Sequence, residues 1–349
     1  RGPAPVGFYV LTVVITLFVT LGLVMVLSAS AMTEARNGNS PFALFNQQAI
    51  WAAIGAVALY VAMRINLAIV ARLALPLIVV TVAKMALPFV PGVGNEINGA
   101  RAWIQVGPLS MQPSEVLKLS AAIYAADLLV RRQHELVDVR RSLRPLLLLA
   151  TVAAGACLAQ SDLGSAIVMT AIVLVVAFIG GVPWPPMVAA GGVALFGGVA
   201  FVVSSPRRLD RFTAFLDIAG HSDKLSYQVH QGMLAIGNGG WTGSGVGAGN
   251  GKMGYIPYAE SDFIFAVVAD ELGFVGSVAV IGGFMALVYL GVQAALAAPD
   301  RFGMLLAGGI AAWFGVQAIV NMGGVAGLMP VTGLTLPFFS AGGTSLFVS

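Results

Sequence analysis

Long apolar segments recur along most of the chain and are separated by shorter polar stretches. Nine of them are about the length that crosses a hydrocarbon layer of roughly 30 Å as a helix. They run over residues 7–29, 46–66, 69–90, 114–130, 145–160, 164–181, 184–204, 262–292 and 303–326. A tenth begins near Gly343, and we expect it to be truncated because only Ser345 to Ser349 of it is present.

This pattern predicts an all-α polytopic membrane protein with about ten transmembrane helices in one transmembrane domain, residues 1–349. The composition agrees, since 58% of the residues are hydrophobic and only 9% are charged, which excludes a water-soluble globular domain. Cys157 is the single cysteine and lies in an apolar run, so no disulfide or cysteine metal cluster is expected within the chain.

The distribution of positive charge orients the chain in the membrane. Five arginines fall within residues 131–144, and the positive-inside rule places this segment in the cytoplasm. Alternation then puts residues 91–113, the large loop 205–260 and residues 327–342 on the outer side. Six cations in these outer segments oppose the rule: Arg101, Arg207, Arg208, Arg211, Lys224 and Lys252.

Two explanations are open for these outer cations. Long translocated loops escape the charge rule, or the cations meet an anionic ligand such as a lipid diphosphate, whose oxygens suit a guanidinium group. We favour the ligand for Arg101 and solvated surface for Lys224. For Arg207, Arg208 and Arg211, headgroup contact and a ligand site stay equally open. No nucleic-acid partner is expected.

Asp262 is the most informative single residue, because it stands at the mouth of the apolar run 263–269. A carboxylate in such a place indicates function. If the run is read as a continuous helix, positions 266, 269, 273 and 276 share the Asp262 face, and all four are alanine or glycine. The pattern predicts close packing on that face, with Asp262 directed toward protein and away from lipid.

A second polar group precedes the fourth predicted span. Pro113 suits a helix start, Glu115 lies in the first turn, and Lys118 follows three residues later on the same face. The pair is either a structural ion pair or part of the wall of a polar cavity. Asp162 has two possible roles as well, in a helix cap or in an outer cavity, and we favour the cap.

Glycines are concentrated at 237–254, where residues 249–254 form a formal GxGxxG. No strand precedes it and Met253 follows the lysine, so we reject a nucleotide site. The glycines are better explained by turns and close backbone approach. His134, His221 and His230 fall on both sides of the membrane, which excludes a shared histidine metal site.

Four stretches resemble the SEDS family of shape, elongation, division and sporulation proteins, which are polytopic peptidoglycan glycosyltransferases. They are GARAW (99–103) with QPSEVLK (112–118); QSDLG (160–164); AIGNGG (235–240) through SDFIFA (261–266) to ELG (271–273); and GLMPVTGL (327–334) through PF (337–338) to GGTSL (342–346). Together they span nearly the whole chain in the family's order. Residues 22–30 and 227–228 are more similar to division-type than to elongation-type members.

The resemblance implies a SEDS-type helical bundle in the bacterial cytoplasmic membrane, at the division septum, that polymerises lipid II and releases undecaprenyl diphosphate. Implied partners are these lipids, the surrounding membrane lipid, a penicillin-binding transpeptidase and other division proteins. Asp262 matches the family's catalytic residue, and a carboxylate there can accept the proton of the attacking sugar hydroxyl. The expected substrate-binding residues are Arg101, Gln112, Glu115, Lys118, Arg207, Arg211, Lys252, Thr344 and Ser345.

Two departures from the family pattern lie beside these motifs. Glu260-Ser261 stands where the family usually has His-Thr, and Ala341 stands where it often has Tyr. Glu260 either binds a divalent cation, Mg or Mn, beside the diphosphate or replaces a surface contact, and we favour the second. No residue is assigned as a metal ligand and no other cofactor is expected.

Two other functions compete with polymerisation. A lipid II flippase or transporter would also use intramembrane ions such as Glu115 and Lys118, although no inverted internal repeat is visible. A scaffold for a penicillin-binding transpeptidase would use the long spans as interfaces. A polymerisation assay and a leaflet-exchange assay separate these possibilities.

Overall fold

The computed structural model describes residues 5–97, 100–106, 109–136, 138–216, 224–249 and 256–349. Most of them are helical. In chain order the helices are α1 (Val6–Arg36), α2 (Ala43–Ala62), α3 (Leu67–Lys84), α4 (Pro113–Arg131), α5 (Val139–Ala159), α6 (Leu163–Ile179), α7 (Trp184–Val203), α8 (Pro206–Leu216), α9 (Lys224–Asn238), α10 (Ile264–Leu296), α11 (Arg301–Val325) and α12 (Gly343–Val348). The predicted all-α class is confirmed, and each of the nine predicted spans coincides with a helix.

Within the described residues, seven helices are long and apolar enough to cross a membrane: α1, α2, α3, α5, α7, α10 and α11. Two other predicted spans differ from these. Helix α6 is apolar but has only 17 residues. Helix α4 carries four charged residues, of which Glu115, Lys118 and Asp127 are buried. Both helices pack against α11 in the interior, so these three charged groups of α4 are shielded by protein.

A three-stranded antiparallel sheet lies between α3 and α4, where the sequence suggested only an outer loop. Its strands β1 (Gly94–Ile97), β2 (Ala100–Val106) and β3 (Leu109–Met111) are adjacent in chain order. Strand β2 is central, with Gly94 opposite Ile104 on one side and Met111 opposite Ile104 on the other. The sheet therefore leads the chain directly into the start of α4.

Helix α10 is broken at Gly273, whose backbone angles are φ 67° and ψ −161°. The continuous helix assumed from the sequence is therefore wrong. Asp262 lies in a turn ahead of the helix, which begins at Ile264, and the small residues do not form one uninterrupted stripe. Ala266 and Ala269 are nevertheless buried, so the predicted close packing on this segment holds for its first turns.

The loop after α9 supplies the hydrogen bonds that the break in α10 leaves open. Ser244 and Gly245 donate backbone N–H groups to the carbonyls of Asp270 and Glu271, each at 3.0 Å. In the other direction, the N–H of Phe274 bonds to the carbonyl of Gly240 at 2.8 Å. Helix ends without such partners would leave buried backbone groups unsatisfied, so this loop makes the break possible.

Close backbone approach explains the glycines of this loop. A Cβ at Gly239 would lie 1.9 Å from the carbonyl oxygen of Ala269, and one at Gly243 would lie 2.1 Å from that of Glu271. The Glu271 carboxylate fastens the same region, because it accepts bonds from the Ser28 hydroxyl at 2.5 Å and the Gly247 N–H at 3.0 Å. The predicted close backbone approach is confirmed for Gly239 and Gly243, whereas Gly251 and Gly254 lie outside the described residues.

The segment between α11 and α12 returns into the bundle. Residues 334–340 are all buried, and Phe339 packs its ring against Phe18 of α1 and Phe284 of α10, with centroids 4.9 and 6.2 Å away. A Cβ at Gly22 of α1 would lie 2.5 Å from the carbonyl oxygen of Phe338. This segment thereby becomes a rigid neighbour of the turn that carries Asp262.

Candidate functional site

Asp262 lines a cleft between α11 and the segment that follows it. The space between the lining atoms amounts to about 180 Å³, a figure that includes open solvent. Asp262 is partly buried there, and its neighbours across the cleft come from the end of α11 and from the chain just beyond it. These lining residues are Val320, Asn321, Gly324, Val325, Val331, Thr332, Gly333 and Leu334.

The turn that carries Asp262 is fixed through three consecutive backbone carbonyls. The carbonyl of Glu260 accepts from the N–H of Ala341 at 2.8 Å, and that of Ser261 accepts from the Ser340 hydroxyl at 2.6 Å. The carbonyl of Asp262 itself accepts from Asn321 Nδ2 at 2.9 Å. With its backbone held at three successive points, Asp262 presents its carboxylate from a pre-organised position.

Gly333 lets the main chain pass close to the Asp262 carboxylate. Its φ is +73°, a conformation that favours glycine, and a Cβ at this position would lie 3.6 Å from Asp262 Oδ2. A side chain here would fill part of the cleft beside the carboxylate. The glycine therefore keeps this face of Asp262 accessible to a ligand.

Lys118 is the centre of a buried polar network between α4 and α11. Its Nζ donates to Glu115 Oε1 and to Gln317 Oε1, both at 2.8 Å, and lies 5.4 Å from the ring centroid of Trp313. Within the described part of the chain, Glu115 Oε2 is buried and has no hydrogen-bond partner. The predicted ion pair is present, and its spare carboxylate oxygen leaves the cavity-wall role open as well.

The network continues from α11 toward α12. Gln317 Nε2 donates to the carbonyl of Thr335 at 2.9 Å, and the Thr335 hydroxyl donates to Ser345 Oγ at 3.0 Å. Thr344 Oγ1 accepts from the backbone N–H of Gln112 at 3.1 Å. Five of the predicted substrate-binding residues therefore belong to connected elements of one polar region: Gln112, Glu115, Lys118, Thr344 and Ser345.

Asp162 combines the two roles considered for it. Its Oδ1 accepts from the N–H of Ser165 at 2.8 Å, which caps α6 as predicted. Its Oδ2 accepts from Gln112 Nε2 at 3.0 Å and so joins the polar region at the start of α4. The cap and the contact with Gln112 use different oxygens of one carboxylate.

The structure places Arg101 apart from the cleft of Asp262. Arg101 lies on β2 with 59% of its side chain exposed and forms a 2.8 Å ion pair with Glu96. It lines a separate open cleft of about 580 Å³ together with Glu96 and residues 88–91. Of the other predicted cations, Lys252 lies outside the described residues, and for Arg207 and Arg211 the structure describes only their backbone in α8.

Glu260 is half-buried beside the Asp262 turn. Burial raises the pKa of its carboxyl group, and the nearby Glu34 carboxylate raises the pKa further, against a lowering by a backbone hydrogen bond. Over the described ranges, no group of three or more His, Cys, Asp or Glu side chains could hold a metal ion. A divalent cation held by Glu260 together with a diphosphate would need fewer protein ligands, and it stays a prediction.

Sequence reasoning missed two amides that organise the site. Gln317 and Asn321 lie four residues apart on α11, and after Arg301 at its start they are the only strongly polar side chains of this helix. That spacing puts them on one face, one turn apart. Polar side chains in an otherwise apolar span were a usable signal, although neutral amides are less conspicuous than charges.

Comparison with known proteins identifies the family of this chain. Residues 8–349 match the FtsW/RodA/SpoVE family profile, described as "Cell cycle protein". The chain belongs to the FtsW/RodA/SpoVE family. The resemblance drawn from the four sequence stretches is thereby confirmed, and the FtsW/RodA/SpoVE motifs at 261–266 and 327–334 both contribute to the Asp262 cleft.

Relatives of the chain include several proteins named "Probable peptidoglycan glycosyltransferase FtsW". One from Geobacter sp. is 38% identical over 97% of this chain and 92% of its own length. One from Mycobacterium tuberculosis is 37% identical over 97% of this chain, which spans only 65% of that relative. Stage V sporulation protein E of Bacillus subtilis is 36% identical over 96% of this chain and 92% of its own.

Solved structures show the same architecture. One, described as "Structural coordination of polymerization and crosslinking by a peptidoglycan synthase complex", has a TM-score of 0.81 at 31% identity and covers 97% of this chain and 93% of its own. The crystal structure of Thermus thermophilus rod shape determining protein RodA has a TM-score of 0.70 at 31% identity, with 97% and 92% covered. This member of the FtsW/RodA/SpoVE family is therefore a multi-pass membrane protein with the SEDS bundle.

Proposed function

We propose that this chain is a peptidoglycan glycosyltransferase that polymerises lipid II on the outer face of the bacterial cytoplasmic membrane. The observation that carries the proposal is the fixed position of Asp262, whose turn is held at three successive carbonyls beside an open cleft. The names of the FtsW relatives support the same activity.

In the proposed reaction, Asp262 acts as a general base. Its carboxylate takes the proton of the 4-hydroxyl of the acceptor sugar, and the oxygen attacks the anomeric carbon of the donor. The bond between that carbon and the diphosphate breaks, and undecaprenyl diphosphate leaves with the bonding electrons. A single direct displacement of this kind inverts the configuration at the sugar.

Arg101 is proposed to neutralise the diphosphate as charge develops on it. For this role Arg101 must exchange Glu96 for phosphate oxygens. An exposed ion pair contributes little stability, about 0–1 kcal/mol, so the exchange costs little. The exposed position of Arg101, beside an open cleft, is compatible with the approach of a lipid headgroup.

The buried polar region is proposed to form the remaining wall of the substrate site. Gln112, Glu115 and Lys118 enter it from the start of α4, and Thr344 and Ser345 from the start of α12. Arg207, Arg211 and Lys252 stay proposed substrate-binding residues, and for the two arginines headgroup contact is the equal alternative. A division role at the septum, with a penicillin-binding transpeptidase and other division proteins as partners, is proposed from the FtsW relatives and from the similarity to a peptidoglycan synthase complex.

The test is lipid II polymerisation by the protein in vesicles, alone and with its transpeptidase partner. Asp262→Asn should lower the rate by about 100-fold or more, since general bases contribute about 10² to 10⁴. The matched control is Asp300→Asn, because Asp300 caps α11 on the predicted cytoplasmic side. Equal rates for Asp262→Asn and the unmodified protein would show that the base is wrongly assigned.

A leaflet-exchange measurement on labelled lipid II belongs in the same experiment. Polymer without exchange supports the glycosyltransferase. Exchange without polymer would replace it with a transporter. Intact binding of the transpeptidase by Asp262→Asn, together with loss of polymer, would exclude a purely structural role.

A further inference from the structure

Two buried amides on α11 tether the same segment in the same way. Gln317 Nε2 donates to the carbonyl of Thr335 at 2.9 Å, and Asn321 Nδ2 donates to the carbonyl of Leu334 at 2.6 Å. The two side chains lie one helical turn apart, and both are at least 95% buried. As tethers of residues 334–335 they are equivalent.

Their oxygen atoms differ. Gln317 Oε1 accepts two hydrogen bonds, from Lys118 Nζ at 2.8 Å and from Trp313 Nε1 at 2.7 Å. Asn321 Oδ1 is buried as deeply and has no partner among the residues that the structure describes. A buried acceptor without a donor costs about 1–3 kcal/mol, and native proteins contain few of them.

Exchanging the positions of Oδ1 and Nδ2 by rotating the Asn321 amide would not give every polar atom a suitable partner. The nitrogen donates to two carbonyl oxygens, those of Asp262 at 2.9 Å and of Leu334 at 2.6 Å, and a carbonyl can only accept. The nitrogen must therefore face both of them, which fixes the direction of Oδ1. Asn321 also lines the Asp262 cleft, so the residue that carries this unused acceptor borders the proposed reaction site.

We propose that Asn321 is a substrate-binding residue whose Oδ1 accepts a hydrogen bond from the sugar held against Asp262. The proposal rests on the proposed glycosyltransferase function and assigns this cleft to the acceptor sugar. A carboxylate and an amide oxygen on one cleft wall suit a ligand with neighbouring O–H or N–H donors, as an amino sugar has. An ionised diphosphate offers no donor, so it does not satisfy Oδ1.

The assignment predicts that loss of the Asn321 amide changes the affinity for only one of two ligands that share the same lipid chain. Lipid II carries the sugars, whereas undecaprenyl diphosphate carries none. With the full chain in detergent or vesicles, Asn321→Ala should weaken binding of lipid II by about 3- to 10-fold, the range for one lost hydrogen bond. Binding of undecaprenyl diphosphate should stay unchanged.

Gln48→Ala is the matched control, because Gln48 is also a buried amide that tethers the segment after α11, through the Ser340 carbonyl at 2.9 Å, and it is not among the residues that line the cleft. It should leave the ratio of the two affinities unchanged, whatever it does to stability. A purely structural Asn321 would behave like Gln48. Equal weakening of both ligands by Asn321→Ala, or weakening of neither, overturns the inference.

If Asn321→Ala does not fold, the hydrogen bond between Asn321 Oδ1 and the sugar can be tested by changing the ligand instead of the protein. Lipid II analogues that each lack one hydroxyl or the amide N–H of the terminal sugar should include one that binds the unmodified protein about 3- to 10-fold more weakly. Equal binding of all analogues overturns the inference while polymerisation by the unmodified protein still stands. Failure of the unmodified protein to bind and polymerise lipid II would overturn the proposed function, and this inference with it.

Discussion

The hydroxyl of Ser340 donates a 2.6 Å hydrogen bond to the carbonyl oxygen of Ser261, 79 positions earlier in the chain. The same hydroxyl accepts the backbone N–H of Leu336 at 2.8 Å. One small side chain thus joins the returning segment after α11 to the residue that precedes Asp262. The position of the proposed base depends on this segment as much as on α10.

Removing this hydroxyl should affect catalysis more than binding. Ser340→Ala should lower kcat by about 10- to 100-fold, because small displacements of a reacting group are costly, while KM for lipid II changes less. Ser204→Ala is the control, since the exposed Ser204 hydroxyl donates to the carbonyl of Phe201 in α7 and accepts only a long 3.4 Å bond from Arg208 Nη1. An unchanged kcat for Ser340→Ala would show that Ser340 does not position Asp262.

Lys118 should be costly to remove, because Glu115 would be left buried without its cation. Lys118→Met should lower the free energy of unfolding by about 3–5 kcal/mol, measured in detergent with chemical denaturant. The double variant Lys118→Met/Glu115→Gln should be more stable than the single variant. If the double variant loses as much as the two single changes added together, the two residues are not energetically coupled.

Arg101→Met is the matched control for Lys118→Met, because Arg101 also forms an ion pair but in an exposed place. It should cost at most about 1 kcal/mol of stability. Lower polymerisation with unchanged stability would support the proposed contact of Arg101 with the diphosphate. Unchanged polymerisation would contradict that contact, and the ion pair with Glu96 would be the only role left for Arg101.

Gly239 should not tolerate a side chain. A Cβ there would lie 1.9 Å from the carbonyl oxygen of Ala269, and neither backbone can move without opening the break in α10. Gly239→Ala should therefore lower both thermal stability and polymerisation. Gly237→Ala, two residues earlier, meets nothing within 4 Å and lies in α9, where alanine favours the helix by about 1 kcal/mol. Equal stability of the two variants would contradict the packing of this loop.

The helices could be predicted from the sequence because long apolar runs in lipid have few other structures available. The break in α10 could not. Alanine and glycine at positions 266, 269, 273 and 276 suit a continuous packed helix and a broken one equally well. What decides between them is the loop at 239–245, whose hydrogen bonds to the break become visible only in three dimensions.

Apart from the residues that the family resemblance implied, the candidate site was found only where charge stands out against an apolar background. Asp262, Glu115 and Lys118 were predicted for this reason, and two of them form the expected ion pair. Asn321 was missed because its importance comes from partners far away in sequence, the carbonyls of Asp262 and Leu334. The pairing of Arg101 with Glu96 depends on the antiparallel pairing of β1 with β2, which periodicity did not reveal.

Glu260 should make the stability of the protein depend on pH. Burial, with a smaller contribution from Glu34, raises the pKa of its carboxyl group in the folded state. At pH values below the ordinary carboxyl range, Glu260 is protonated in both the folded and the unfolded state, so it does not lower the stability. As the pH rises, the unfolded state releases its proton first, so folding loses stability until the pH passes the raised pKa.

Glu260→Gln removes this ionisation and keeps a side chain of similar shape. Its melting temperature should equal that of the unmodified protein near pH 4, exceed it increasingly as the pH rises, and keep a constant advantage above the folded-state pKa. In a Glu34→Gln background the advantage should level off at a lower pH, because one source of the raised pKa is gone. An advantage that shrinks as the pH rises would mean that the folded protein stabilises the ionised form of Glu260, as a cation bound beside it would.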